Sequence, residues 1–384
     1  METAGPRTKL STDRPAVLFV SVPVGVGGST RSMANVLTYF GSTSDADNVS
    51  RVLAAPVGGR FVDLVADLKA ADVHLPIINS KSPRPPRRAW QALQLVRFVR
   101  RNRGTIRAIH ANGLKELSLT ALAASVGRVP LVVWIHNFKL PPSVRRFGWL
   151  WRIVLRRTQV RFAAVSPLAR DLVVQAGLAR AADVEIVPNP IDPNDVQATE
   201  HLPDKNGAVR VAFLGTPLEY KGFQLLPEMI ERTAEADPNL RWLLFSKQTD
   251  HHLSEVWDRL REMESTHPVS IEGKFTDVRE AYARCDIVVC PSLLESFCRV
   301  AAEAMLNGIP VVGSDLEPIQ ALLGADEAGI VYPAGDTEAA SKAIVRLAAD
   351  PDLRDQLGQT GIRRAQQFSP ESVAAQLRGL LLVP

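Results

Sequence analysis

The sequence predicts two α/β domains in tandem, each a mostly parallel sheet covered by helices. Length, alternation and one interruption lead to that expectation. A chain of 384 residues with 46% hydrophobic content exceeds what a single core usually organises. Short apolar runs alternate with segments of helical period along the whole chain, which is the pattern of parallel strands joined by crossover helices. A polar stretch from Ile191 to Gly207, carrying Pro193 and Pro203, breaks the alternation before a fresh apolar run starts at Val209. The expected division is a first domain over 1–200, a second over 208–368, and a last helix over 369–384 that can cross back to the first domain.

Taken in order, the strand candidates of the first half are Val17 to Val22, Arg51 to Ala55, Val73 to Ile78, Ile106 to His110, Leu131 to Ile135, Phe162 to Val165 and Glu185 to Val187. Helices fit between them. Met33, Val36, Leu37 and Phe40 stand at i, i+3, i+4, i+7, and Phe61, Leu64, Val65 and Leu68 repeat the spacing, so each set lays one stripe on a sheet. In the second half strands are expected at Val209 to Leu214, Trp242 to Phe245, Val269 to Ile271, Ile287 to Cys290, Pro310 to Val312 and Gly329 to Tyr332. Helices starting near Thr337, Asp352 and Pro370 close the chain.

Composition narrows the class. The three cysteines, Cys285, Cys290 and Cys298, are odd in number, clustered and not spaced as a CxxC pair, which suggests neither a disulfide framework nor a zinc site and fits a reducing cytosol. The apolar run Ala16 to Val26 follows Arg7, Lys9 and Arg14, yet it lacks a small-residue cleavage site and reads as a strand entering a glycine loop. No apolar run reaches the roughly 20 residues that span a bilayer. The expectation is a cytoplasmic protein, free or peripheral on the membrane. Asp45-Ala46-Asp47 is read as a solvated loop rather than a metal site. Charge is divided unevenly: residues 1–200 carry 27 Lys and Arg against 14 Asp and Glu, while the remainder is acidic. Between Lys81 and Arg161, 18 basic residues face one acid, Glu116, a field that implies a polyanionic partner.

The segment Cys290 to Gly308 reads as a strand end, a short loop and a helix from about Phe297 stopped by Asn307-Gly308. Ligands of open parallel sheets bind beyond the carboxyl ends of the strands, so Glu295 would face that space and Glu303 would lie one helix further on. By themselves two glutamates also fit a helix cap and a solvated side chain. Their surroundings resemble the E-x7-E signature of the retaining GT-B glycosyltransferases of glycosyltransferase family 4. Gly215 to Gly222 is similar to that family's G-R-L-x-x-x-K-G loop, and Phe275 to Ser292 to its run ending in A-D-x-x-x-x-P-S. In the first half Gly27-Gly28, Ile109-His110-Ala111, His136, Val165-Ser166 and Val187 to Asp192 match further family segments in the same order.

The resemblance implies a GT-B fold, two Rossmann-like domains facing each other across a cleft, and transfer from a nucleoside-diphosphate sugar with UDP or GDP as the base-bearing part. It implies no metal and no cofactor. A departing diphosphate takes up charge, so fixed positive groups must face it. Lys221 would supply one, Gly215, Thr216 and the backbone at Phe297, Cys298 and Arg299 would form the cradle, and Gly27 and Gly28 would permit close approach of the backbone. Glu303 would hold the ribose, Glu295 the transferred sugar, with His136 and Phe275 beside the donor or acceptor. Several positions depart from the pattern: Asn137 follows His136 where the family has Asp, Glu317-Pro318 replaces a G-G with Ala321 in place of the following Glu, and two more fall in the cradle. Thr216 stands where the family has a phosphate-binding arginine, and Cys298 where it usually has glycine; Arg299, next along, is the candidate to compensate by reaching the diphosphate.

Arg145, Arg146, Arg152, Arg156 and Arg157 interleave with Phe147, Trp149, Leu150, Trp151, Ile153, Val154 and Leu155 in one helical stretch. With Arg87 to Arg107 it could lie on an anionic membrane surface, or pack on its own sheet with arginines reaching outward. A membrane-facing first domain suits a saccharide or lipid-linked acceptor. Nucleic acid is not the expected partner, since no recognition motif accompanies the charge. The other readings are a polyanion binder and an inactive partner subunit, each on a GT-B scaffold.

Overall fold

A computed structural model describes residues 1–5, 7–22, 28–40, 49–56, 60–77, 85–156, 158–246, 253–273, 277–324 and 327–382. Contacts divide the chain into two units, Met1–Pro190 with Pro370–Pro384, and Ile191–Ser369.

In the first unit the described strands are β1 (Glu2–Thr3), β2 (Ala16–Val20), β3 (Ser50–Pro56), β4 (Val73–Ile77), β5 (Ile106–Ala111), β6 (Leu131–Ile135), β7 (Val160–Ala164) and β8 (Val184–Ile186). They form one sheet in the order β1-β4-β3-β2-β5-β6-β7-β8, parallel at every pairing. All five residues of β2 are buried, as expected of a central strand covered on both faces. β1, two residues long, carries no apolar signal and was not anticipated. Met33, Val36, Leu37 and Phe40 are all buried on the helix Gly28–Phe40. The second stripe is shorter than its spacing suggests. Its helix, Arg60–Asp67, ends before Leu68, and Lys69 turns the chain with φ 50, leaving Leu68 exposed.

The second unit holds β9 (Val209–Leu214), β10 (Leu240–Phe245), β11 (Val269–Ile271), β12 (Ile287–Cys290), β13 (Val311–Ser314) and β14 (Gly329–Tyr332) in the order β11-β10-β9-β12-β13-β14, again all parallel. Phe223, Trp242 and Trp257 centre its core, and the Trp242 indole N–H reaches Thr233 Oγ1 at 2.9 Å. The order is the doubly wound one. Strand sequence reverses direction between β9 and β12, which opens a crevice at their carboxyl ends. In the first unit the corresponding reversal falls between β2 and β5.

The polar stretch after Ile191 is bound to the second unit rather than hanging free. The Asn307 side chain accepts from Ala198 N at 2.8 Å and donates to Val196 O at 3.2 Å, and Leu202 N donates to Ala283 O at 2.8 Å. The last helix, Pro370–Leu381, packs in the first unit against the helix Gly28–Phe40 and buries Val373, Ala374, Leu377, Leu380 and Leu381. Arg161 donates to Leu380 O at 2.9 Å, and Arg378 to Phe40 O at 3.3 Å.

Candidate active site

The crevice of the second unit is built from two loops, one leaving β9 and one leaving β12. The β9 loop runs through Gly215 and the exposed Thr216 into a single 3-10 turn, Glu219–Lys221. Its start is tied to β10, with Gly215 N donating to Phe245 O and Ser246 Oγ to Gly215 O at 2.8 Å. Gly222 follows with φ 71, and a Cβ there would collide with the Pro291 carbonyl oxygen. The two loops are then clamped: Leu293 N and Leu294 N both donate to Tyr220 O, at 2.8 and 3.1 Å.

That clamp sets Lys221 against Glu295. The ammonium forms a hydrogen-bonded ion pair with Glu295 Oε2, the carboxylate largely buried and the lysine about a third exposed. Burial alone would push the Lys221 pKa down, but the adjoining Glu295 carboxylate outweighs it and holds the value above the ordinary lysine range, so the ammonium stays charged. Glu295 Oε1 accepts from Ser296 N at 3.1 Å, which fixes the carboxylate from its other side.

The helix after the β12 loop is Arg299–Leu306, two residues shorter at its start than expected. Phe297 and Cys298 lie before it. Phe297 is buried edge-on against Phe368, 5.6 Å between centroids, and serves packing. Cys298 occupies the left-handed region at φ 66, a conformation costly for any residue with a Cβ and free for the glycine usual in the resembling pattern. Its sulfur is hydrogen-bonded with the Cys290 thiol. That bond, then burial, pushes Cys290 well above the usual thiol range and keeps it protonated.

Glu303 is buried and held from both ends. Tyr282 donates its hydroxyl to Oε2 at 2.9 Å, and Arg299, one turn earlier, lies on Oε1 at 3.1 Å. Burial first, and then the Glu303 charge, raise the Tyr282 pKa, so Tyr282 remains a donor. Arg299, the candidate to compensate for Thr216, has its guanidinium on Glu303. Tyr282 escaped the sequence reading, as an aromatic on a helical stripe reads as core; nothing local announces that its hydroxyl meets a carboxylate 21 residues on.

In the first unit His136 follows β6, its Nδ1 at 2.9 Å from Asn189 Oδ1 and its ring 4.3 Å from that of Trp134. Gly28 opens the helix Gly28–Phe40. Gly27, Phe275 and the Asp45-Ala46-Asp47 string lie outside the described residues. A polar cluster that the sequence reading did not assemble sits at the carboxyl ends of β2 and β5. Glu116, buried, accepts from Val22 N at 3.1 Å, Asn137 Oδ1 from Leu114 N at 3.4 Å, and Asn112 reaches Ser21 Oγ at 3.4 Å. The one acid within a strongly basic stretch was the available signal.

Two doubly wound units, the second with a cation–carboxylate pair and a clamped glutamate at the ends of its strands, are an α/β architecture of the GT-B class. Residues 26–195 match the model described as Glycosyltransferase Family 4, and residues 208–350 that described as Glycosyl transferases group 1. The chain belongs to the glycosyltransferases of family 4. It is similar to the phosphatidyl-myo-inositol mannosyltransferase of Mycobacterium leprae (strain TN), 29% identical over 283 residues, 70% of this chain and 71% of that one. Identity to the D-inositol 3-phosphate glycosyltransferase of Corynebacterium glutamicum (strain R) is 29% over 211 residues, 52% of this chain and 49% of that one, so the match spans about half of that relative's length. Among solved structures, a glycosyltransferase from Rickettsia africae ESF-5 superposes with a TM-score of 0.81 at 15% identity, covering 97% of this chain and 100% of that one. Anabaena HepE in complex with UDP and glucose gives 0.73 at 20%, covering 95% and 98%. These likenesses establish the fold.

Proposed function

We propose that the protein transfers a sugar from a UDP or GDP sugar to a phosphate-bearing polyol or glycan acceptor, free or lipid-linked, with retention at the anomeric carbon and without a metal. The carrying observation is the Lys221–Glu295 pair clamped at the switch point beside Glu303. The C1–O bond to the diphosphate breaks while the acceptor oxygen bonds C1 on the same face, and the acceptor's proton passes to the departing phosphate oxygen. Lys221 neutralises charge as it develops on that phosphate. Glu295 orients Lys221 and accepts from the sugar's hydroxyls; Glu303, held by Tyr282 and Arg299, accepts from the ribose. The family resemblance assigns His136 to the donor sugar or the acceptor. The names of the mycobacterial and corynebacterial relatives support an inositol-type acceptor carrying phosphate, and the basic first unit supports an anionic one. The setting is peripheral, at the cytoplasmic face of the membrane, in cell-surface polysaccharide or glycolipid synthesis. Among the described residues no helix is long and apolar enough to cross a membrane.

Thermal shift with UDP, GDP and ADP tests the donor. One diphosphate should raise the melting temperature more than the others, and Glu303→Ala should weaken that response at least tenfold in nucleotide concentration, since hydrogen bonds to a charged acceptor contribute about 1.5–3 kcal/mol each. A chain that responds to none, or equally to all polyanions, is a binder and not a transferase. A chain that binds nucleotide but transfers nothing is an inactive subunit. NMR of the product's anomeric proton checks retention, and activity in excess chelator checks the absence of a metal.

A further inference from the structure

Two segments of the first unit, the end of β6 and the chain just past β8, meet through polar side chains that lie 53 residues apart in sequence. Trp134, fully buried in β6, donates its indole N–H to Val187 O at 2.9 Å. His136, one residue beyond β6, has its ring 4.3 Å from that of Trp134 and its Nδ1 2.9 Å from Asn189 Oδ1. Asn189 is 6% exposed and stands between Pro188 and Pro190. A residue before proline is confined to extended conformations, and proline fixes its own φ, so the amide is presented on a stiff stretch of backbone. An amide oxygen only accepts. The Nδ1 that meets it is therefore the protonated nitrogen of the neutral ring, and Nε2 carries the lone pair. Because the partner is an amide and not a carboxylate, it places the proton without adding a negative charge that would favour imidazolium.

We propose that Asn189 is a positioning residue: it holds His136 in the Nδ1–H tautomer, so that Nε2 accepts a hydrogen bond from a hydroxyl of the sugar substrate. The hydroxyl half of this proposal rests on the transferase reading above, and the tautomer half does not. A hydroxyl that donates to Nε2 keeps its oxygen lone pairs for the sugar side, where positive charge develops at C1 as the bond to diphosphate breaks. An Nε2–H would instead engage one of those lone pairs. The difference is felt most in the transition state, so it belongs to kcat more than to KM.

Full-length protein carrying 15N-labelled histidine reports the tautomer directly in long-range 1H–15N spectra, recorded at a pH above the range in which histidine titrates. A His136→Gln variant identifies the His136 ring among the seven histidines. In the wild type, without ligand, Nδ1 should show the shift of a protonated nitrogen and Nε2 that of a lone-pair nitrogen. Asn189→Leu, which removes the acceptor, should move the proton to Nε2. Asn189→Asp, which again only accepts, should hold it on Nδ1. Turnover of UDP-glucose or GDP-mannose at the same pH should follow the tautomer. Asn189→Leu should lower kcat by about tenfold or more with KM little changed, and Asn189→Asp should recover most of it. A wild-type ring protonated on Nε2 overturns the proposal whatever the variants do, and so does a folded Asn189→Leu protein that keeps the proton on Nδ1. If Asn189→Leu does not fold, the wild-type and Asn189→Asp spectra decide. A tautomer that follows Asn189 while kcat stays constant overturns the hydroxyl half. A chain that turns over neither sugar nucleotide fails the transferase reading, and the spectra alone then judge the role of Asn189.

Discussion

Gly222 fixes the backbone next to the Lys221–Glu295 pair. Its φ of 71 and the Pro291 carbonyl against its Cα leave no room for a side chain. Gly222→Ala should therefore destabilise by more than about 2 kcal/mol, through steric overlap and left-handed strain together, and weaken nucleotide binding by displacing Lys221. Calorimetry and the thermal-shift titration measure the two effects separately. His110 lies fully buried between Phe19 and Trp134, and among the described residues neither ring nitrogen has a hydrogen-bond partner. Burial, with a smaller contribution from His136, lowers its pKa to about 3. The folded value lies below the unfolded one, so between about pH 6.5 and about pH 3 the unfolded chain binds the extra proton, and stability falls as pH falls. That loss reaches about 2 kcal/mol by pH 5. His110→Leu should flatten the acid side of a denaturation-against-pH curve by about that amount while leaving stability near pH 7.5 unchanged or higher. An unaltered acid limb would show that the loss has another source.

At the scale of elements, period was legible and boundaries were less so. Strands from Leu131, Val209, Val269, Ile287 and Gly329 fall where the apolar runs put them; those from Leu131 and Ile287 are buried at every residue, because a strand covered on both faces is apolar throughout. The active-site helix begins at Arg299 rather than Phe297 because Cys298 takes a left-handed conformation, which an alphabet of propensities disfavours for cysteine. The composition of the helix Pro142–Leu155 fits both packing and membrane docking. The structure divides the same residues by face, Val144 and Leu155 inward, Trp149 and Ile153 outward. No reading of the string alone assigns that rotation, because the arginines and aromatics interleave around most of the circumference.

For the molecule as a whole, the last helix is the element most dependent on tertiary structure. It follows the second unit in sequence but completes the core of the first, with Leu377 wholly buried. Leu377→Ala should cost about 2–5 kcal/mol, lowering the melting transition of the first unit while the nucleotide response of the second persists. Simultaneous loss of both would mean that the units unfold as one. The charge division also belongs to this scale: residues 1–200 are basic and the remainder acidic, so an anion is drawn to the first part of the chain and repelled by the second.

The sequence by itself determined the class: two parallel α/β units and the family. Those features are local patterns, a few residues in fixed order, and local order is what a string retains. Tertiary structure alone decided which groups meet. It put Tyr282 on Glu303, joined the β9 and β12 loops through Gly222 and Tyr220, and buried Glu116 beside Val22. Each of these contacts closes across several to many residues of chain, and its partner is chosen by strand order, which reverses between β9 and β12 and between β2 and β5 for reasons that no short segment contains.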